Sequence, residues 1–312
     1  MKNILFQNSS GSLKFVISIV VIILSTLIFT FLGTILYAVF IDSTIFTNYN
    51  VLMLDYSNPA TISFLKMTQI FQSIGLFVFP PLLLAFLFSN KMFKYLGFSR
   101  NINVLALFLS GAVMILALPF INFTAEINQA LVLPDSLSWL EQMMRDSEQN
   151  AERITKIFLN IDSVGALLIN ILMMALIPAI GEELMFRGLI QKSLSKKMNI
   201  HIAIFISAFI FSFIHFQFFG FLPRFLMGLF FGYVYYWSGN LWLTIFAHFV
   251  NNGSAVLLAY IYGVEGIATD TSTFSEGDNY SMYLISSIII TSGLVYSIYF
   301  LNKQGGEIKG SS

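Results

Sequence analysis

Eight long apolar runs divide this chain of 312 residues, and they constrain its fold more than any other feature. Runs of about 20 apolar residues are long enough to cross ~30 Å of hydrocarbon as α-helices. Only 10% of the residues are charged, against about 25% in a soluble domain. We therefore predict an all-α, polytopic membrane helical bundle of about eight transmembrane helices. The predicted spans are 14–41, 63–89, 103–123, 164–189, 199–219, 221–237, 241–262 and 281–301.

The charges between these runs predict the orientation of the chain. Basic residues concentrate between spans two and three, between spans four and five, and near both ends, whereas the other loops are acidic. By the positive-inside rule, both termini lie on the cytoplasmic side. We expect a short leader at 1–13, a single membrane domain at 14–302 and a polar tail at 303–312. The basic residues that lie in these cytoplasmic segments are Lys2, Lys14, Lys91, Lys94, Arg100, Lys192, Lys196, Lys197, Lys303 and Lys309.

The longest predicted loop, residues 122–162, lies on the outer side and carries an amphipathic pattern. Within it Trp139 and Met143 alternate with Glu141 and Arg145 at helical spacing. This pattern predicts a short helix that lies on the membrane surface or caps the outer mouth of the bundle.

Composition also restricts the partners and the kinds of site. The chain has no cysteine, so it forms no disulfide and no thiolate metal site. Its formal net charge is zero, and we expect no nucleic-acid partner. The expected surroundings are the lipid bilayer.

Two adjacent glutamates, Glu182 and Glu183, lie inside the fourth apolar run. A charged side chain at the centre of a membrane helix costs about 2.5–3.5 kcal/mol, so such residues mark a functional site by default. Glu183 and Arg187 are four residues apart, and this spacing predicts an ion pair that offsets the cost of burial. Adjacent helical residues point about 100° apart. Glu182 is therefore left without a local cation and is free to face a water-containing cavity, where a carboxylate suits a general base.

Two histidines and an asparagine follow on later apolar runs. His215 lies in an aromatic run, whereas His248 and Asn252 are four residues apart and project donors towards one point. Such a pair is what an oxyanion hole needs where backbone amides are engaged in helices. Together with Glu182, these residues indicate amide hydrolysis inside the membrane. His201, beside a basic loop, is interpreted as an ordinary interfacial residue.

The same residues admit other interpretations. A glutamate with two histidines is a hydrolytic zinc set, so Glu182, His215 and His248 are the ligands if the protein uses a metal. Intramembrane ionisable residues also mark ion paths in transporters, which predicts duplicated halves that the sequence does not display. A non-catalytic immunity or scaffold protein is a further alternative. So are polar groups that only hydrogen-bond the helices together.

A resemblance to a known family rests on three motifs in order: Glu182-Glu183-x-x-x-Arg187, Phe211-x-x-x-His215 and His248-x-x-x-Asn252. This pattern resembles the CAAX protease and bacteriocin-processing family, also called the abortive-infection family, which includes the type II CAAX prenyl endopeptidases. The resemblance covers about residues 164–257. It implies an intramembrane endopeptidase of a bacterial plasma membrane. Its implied substrate is a membrane-embedded or lipid-modified protein, prenylated or bacteriocin-like.

The resemblance also implies a role for each motif residue. Glu182 activates water, His215 helps to position it, and His248 with Asn252 forms the oxyanion hole. Glu183 and the arginine four residues on hold the helix. The resemblance favours a glutamate-type mechanism without a cofactor, with zinc as the alternative.

Overall fold

The computed structural model describes residues 6, 8–47, 51, 55–99, 101–276 and 279–307, and for 265–276 and 304–307 it describes the backbone alone. All regular structure in these ranges is helical, which confirms the predicted all-α membrane bundle. Arg100, Lys2 and Lys309 of the charge pattern lie outside the described residues. So do parts of the predicted leader and tail, at 1–5, 7 and 308–312.

Eleven helices follow one another along the described chain, and three of their segments have π-helical geometry. The π segments are Ile74–Val78 in α2, and Ile171–Leu176 and Leu184–Gln191 in α7. The helices are α1 Gly11–Phe40, α2 Pro59–Phe88, α3 Met92–Leu96, α4 Val104–Leu116, α5 Leu118–Gln129, α6 Ser138–Leu159, α7 Val164–Ser195, α8 Ile200–Phe213, α9 Phe221–Ser238, α10 Leu241–Glu276 and α11 Tyr280–Glu307.

Helices lie at all eight predicted span positions, and the chain is an integral membrane protein. Six of the described helices are individually long and apolar enough to cross a membrane, namely α1, α2, α7, α9, α10 and α11. The α4–α5 pair makes a seventh crossing if it is taken as one bent span. The eighth, α8, is apolar but has 14 residues, or about 21 Å of helix.

At the predicted third span, 103–123, the helical pair α4–α5 extends further, to Gln129, and bends by 48° between its two helices. Pro119 lies at the start of α5. A proline has no N–H to donate to the carbonyl of residue 115, and its ring crowds that carbonyl, so the helix breaks there.

The predicted fifth span, 199–219, was wrong in its length, because α8 ends at Phe213. The chain then turns through 214–217 and enters a short 3₁₀ segment, Phe218–Gly220, before α9 begins. Phe216 has a φ of 52°, a conformation that interrupts any right-handed helix. The apolar composition of the turn hid this break from hydropathy.

The predicted amphipathic helix forms as α6, Ser138–Leu159, and its 22 residues make it longer than the short helix expected. Two ion pairs at i, i+4 spacing lie along it, Glu141–Arg145 and Glu152–Lys156. Hydrogen bonds from Arg145 and from the backbone N–H of Leu133 hold the pKa of Glu141 below its usual value.

In the second half of the chain, four helices pack against one another, namely α7, α8, α9 and α10. The α8–α9 contact is close because Gly228 and Gly232 of α9 face Ala208 and Ile204 of α8. A Cβ added to Gly232 would lie 2.7 Å from the Ile204 Cγ2 atom. Such close approach through small residues is typical of packed membrane helices.

Candidate active site

The part of α7 that carries the two glutamates is enclosed by protein. Residues 181–189 of α7 are all buried. Gly181 packs so closely against α2 that an added Cβ would lie 2.7 Å from the Phe77 Cβ atom. Glu183 is fully buried, and Glu182 is 9% exposed. Charges enclosed in this way need partners.

Glu183 finds its first partner on its own helix. The Arg187 Nη1 atom donates to Glu183 Oε1 at 2.9 Å, which confirms the ion pair expected from the i, i+4 spacing. Arg187 Nη2 donates to the backbone carbonyl of Gly228 at 2.8 Å and so ties α7 to α9. The guanidinium carbon lies 5.0 Å from the ring centre of Phe211 and 5.3 Å from that of Phe231.

His248 is the second partner, and its ring reaches both glutamates. The Nδ1 atom is 3.1 Å from Glu183 Oε1, and the Nε2 atom is 3.8 Å from Glu182 Oε2. The ring stacks on Phe231 with centres 5.1 Å apart and planes inclined by 15°. The two glutamates point to different sides, as expected. However, an imidazole carries nitrogens on opposite edges and meets both carboxylates at once.

His215 lies just after the end of α8 and is half-buried. Its Nδ1 atom donates to the backbone carbonyl of Phe211 at 2.8 Å. Because a carbonyl oxygen only accepts, Nδ1 carries the hydrogen, and Nε2 of the neutral ring is then an acceptor. That nitrogen is suited to accept a hydrogen bond from water.

Asn252 is engaged with α7 rather than aimed only at the position of a substrate. Its Nδ2 atom donates to the backbone carbonyl of Met174 at 3.1 Å. Met174 lies in the π segment Ile171–Leu176, and Pro178, four residues on, has no N–H with which to donate to that carbonyl. The amide nitrogen carries two hydrogens, so a second one remains for another acceptor.

Two aromatic side chains belong to the site, although no role was predicted for them. Phe211 and Phe231 enclose the Arg187 guanidinium, and both rings also contact His248, at 6.0 and 5.1 Å between centres. Among 34 phenylalanines, hydropathy does not separate these two from lipid-facing rings.

Gln191 is a second residue that sequence reasoning missed. It is buried, and its Nε2 atom donates to the carbonyl of Gly232 at 3.0 Å. Arg187 and Gln191 are four residues apart, as are their acceptors Gly228 and Gly232, so α7 and α9 are joined at matching turns. This matching spacing was the available signal.

The structure also bears on the metal-binding alternative. In the described part of the chain, no three side chains of His, Cys, Asp or Glu are arranged to hold a metal ion. The donors of the zinc alternative, Glu182, His215 and His248, therefore do not fit a metal centre in this arrangement. His201 lies at the opposite end of α8, with its Nδ1 atom 3.0 Å from the Tyr233 hydroxyl.

Comparison with known proteins gives one family. Residues 164–254 match the family model described as type II CAAX prenyl endopeptidase Rce1-like. The matched segment is less than a third of the chain and contains every motif residue of the candidate site. The resemblance expected from the motifs is thereby confirmed. No curated protein and no solved structure matches this chain.

Proposed function

We propose, on the premise that residues 164–254 carry the pattern of the Rce1-like type II CAAX prenyl endopeptidases, that this protein is an intramembrane endopeptidase. It hydrolyses a peptide bond of a membrane-associated substrate. The observation that carries the proposal is the placement of His248 between Glu182 and Glu183, in a buried position on α10. Acid–base groups held together in this way are suited to amide hydrolysis.

In the proposed reaction Glu182 is the general base. Its carboxylate takes a proton from water, and the water oxygen forms a bond to the carbonyl carbon of the scissile amide. His215 accepts a hydrogen bond from that water at Nε2, because its Nδ1 hydrogen is donated to Phe211. The protonated Glu182 then returns its proton to the leaving amine nitrogen as the C–N bond breaks.

His248 and Asn252 stabilise the oxyanion in this proposal. A carboxylate accepts hydrogen bonds, so the Nδ1 hydrogen of His248 is directed at Glu183. Donation from Nε2 to an oxyanion therefore requires the doubly protonated ring. Asn252 supplies the second donor with the hydrogen that Met174 does not use. Such donors typically contribute about 10²–10³-fold each to the rate.

Glu183 and Arg187 hold this arrangement without touching the substrate. The pair orients the His248 ring through Glu183, and Arg187 fixes α9 through Gly228. The mechanism uses no metal or other cofactor. We propose as substrates membrane-embedded or lipid-modified proteins, with prenylated and bacteriocin-like segments as the two candidates.

The test is a comparison of membrane-protein C-termini in cells that produce the wild type or Glu182→Gln. This substitution keeps the size of the side chain and removes the base. We expect new termini with the wild type only, and their sequences identify the substrate class. The same new termini with Glu182→Gln would contradict the mechanism, and their loss on addition of a chelator would contradict a metal-free reaction.

Termini that match those of cells lacking the protein, in both cell types and at equal protein levels, would contradict the protease proposal. That result would favour the non-catalytic immunity or scaffold alternative.

A further inference from the structure

The chain between α8 and α9 is not helical, although apolar helices flank it on both sides. Residues 214–217 form a turn that continues into the 3₁₀ segment Phe218–Gly220. Backbone at membrane depth must have its polar groups satisfied by protein or by a water-filled cavity. We call residues 214–220 the His215 turn, because His215 is its second residue.

The backbone of the His215 turn is strained at one position. Phe216 has a φ of 52°, which is uncommon for a residue with a bulky side chain. Such a conformation persists where surrounding groups determine it, and it clusters at functional sites. The contacts that hold this turn are therefore informative.

Side chains from four helices hold the turn and the start of α9 through hydrogen bonds to the backbone. The Ser147 hydroxyl of α6 donates to the carbonyl of Phe216 at 2.8 Å, beside the strained residue. The remaining bonds are Asn128 Nδ2 to Phe218 O, Phe219 N to Glu148 Oε2, Leu222 N to Asn128 Oδ1, Ser212 Oγ to Phe221 O, Arg224 Nη2 to Gln217 O and Arg224 Nε to Gly220 O.

Asn128 makes the most complete of these contacts. It lies on α5, is 4% exposed, and uses both ends of its amide, with bonds of 2.9 Å to the Phe218 carbonyl and 2.6 Å from the Leu222 N–H. Glu148 of α6 accepts from the Phe219 N–H at 3.1 Å. Both residues thus reach the turn from helices outside the catalytic segment 164–254.

We infer that Asn128 and Glu148 are positioning residues that fix His215 through the turn that follows it. His215 is held on one side by its bond to the Phe211 carbonyl and on the other by the turn itself. The outer helix α6 is in this view part of the hydrolytic apparatus rather than a peripheral surface helix. The consequence for catalysis rests on the proposed function, whereas the positioning of the ring does not.

The test measures the reactivity of His215 without a substrate. The purified full-length protein in detergent is treated with diethyl pyrocarbonate, which modifies unprotonated imidazole nitrogen, and each of the three histidines is quantified by mass spectrometry. We expect Asn128→Ala to raise the modification rate of His215 on the order of tenfold, because lost buried hydrogen bonds ease local opening. His201, at the far end of α8, is the internal reference and keeps its rate.

A second substitution keeps the test decisive if Asn128→Ala folds poorly. Glu148→Ala should also raise the modification rate of His215. Glu148→Gln should keep that rate near the wild-type value, because the glutamine oxygen still accepts from the Phe219 N–H. The exposed neighbours provide matched controls, Gln129→Ala and Gln149→Ala, and should leave the rate unchanged. An unchanged His215 rate in both Asn128→Ala and Glu148→Ala would overturn the inference.

Activity separates this inference from the proposed function. With a cleavable substrate, Asn128→Ala should lower kcat while KM stays near the wild-type value, since the base and the substrate contacts are intact. A rise in KM with an unchanged kcat would overturn the role in positioning His215. If the labelling result holds while the wild type cleaves nothing, the proposed function fails and the positioning of His215 stands.

Discussion

Arg187 is the largest fully buried side chain in the described part of the protein. Its charge is balanced by Glu183, its second nitrogen is bound by a backbone carbonyl, and two aromatic rings cover its faces. A buried ion pair is weak evidence for net stability, but the loss of one partner leaves the other charge uncompensated. Removal of one partner should therefore lower the stability of the protein strongly.

At this scale we predict that Arg187→Ala destabilises the protein by about 3–5 kcal/mol and lowers its yield. Lys156→Ala is the matched control, because Lys156 and Glu152 have the same spacing and are each more than half exposed. An exposed pair of this kind contributes about 0.3–0.5 kcal/mol. Unfolding in detergent measures both. Similar losses for the two variants would contradict the role assigned to the buried pair.

At the scale of elements, the contact between α8 and α9 decides how α7 is anchored. Gly228 and Gly232 let α8 approach α9 closely, and their carbonyls accept from Arg187 and Gln191. One pair of small residues therefore serves two neighbouring helices. Close approach of backbones through small residues is typical of membrane helices.

We predict that Gly232→Ala destabilises the bundle by about 1–3 kcal/mol, because the new methyl group overpacks the contact. Its Cβ would lie 2.7 Å from Ile204 Cγ2 and 3.1 Å from Gln191 Oε1. Gly293→Ala in α11 is the control, since an added Cβ there meets nothing within 4 Å. Thermal unfolding of the two variants measures the difference. A Gly232→Ala protein as stable as Gly293→Ala would mean that α8 and α9 have room to separate.

At the scale of the whole molecule, eight crossings with both termini on one side remain a prediction from the charge pattern. The helices supply six clear spans, one bent pair and the short α8. A crossing by α8 and the turn after it requires the polar contacts that Asn128, Glu148 and Arg224 make with the backbone.

The absence of cysteine allows the orientation to be measured with single introduced thiols. Asn90 and Ser136 are exposed positions in loops predicted on the cytoplasmic and outer sides. In right-side-out vesicles, we expect a membrane-impermeant maleimide to label Ser136→Cys and to leave Asn90→Cys unlabelled until the membrane is opened. The cysteine-free parent is the control. The reverse labelling would show that the positive-inside assignment is inverted.

The sequence contains much of the local structure of this protein, because hydropathy and near-neighbour spacing act within one helix. The positions of the membrane helices, the amphipathic α6 and the Glu183–Arg187 pair were all predicted in this way. The break after Phe213 was missed, since the turn is as apolar as the helix before it. Its polar contacts come from α5 and α6, which are far away along the chain.

By itself, the sequence determined the helical class, the order of the helices and the set of candidate site residues. Only the tertiary structure decided how these residues meet. His248 lies between both glutamates although 65 positions separate it from Glu183, and Asn252 donates to the carbonyl of Met174, 78 positions away along the chain. Spacing within a helix fixes which side chains share a face. Contacts between helices depend on packing around Gly228, Gly232, Phe211 and Phe231, which no local pattern specifies.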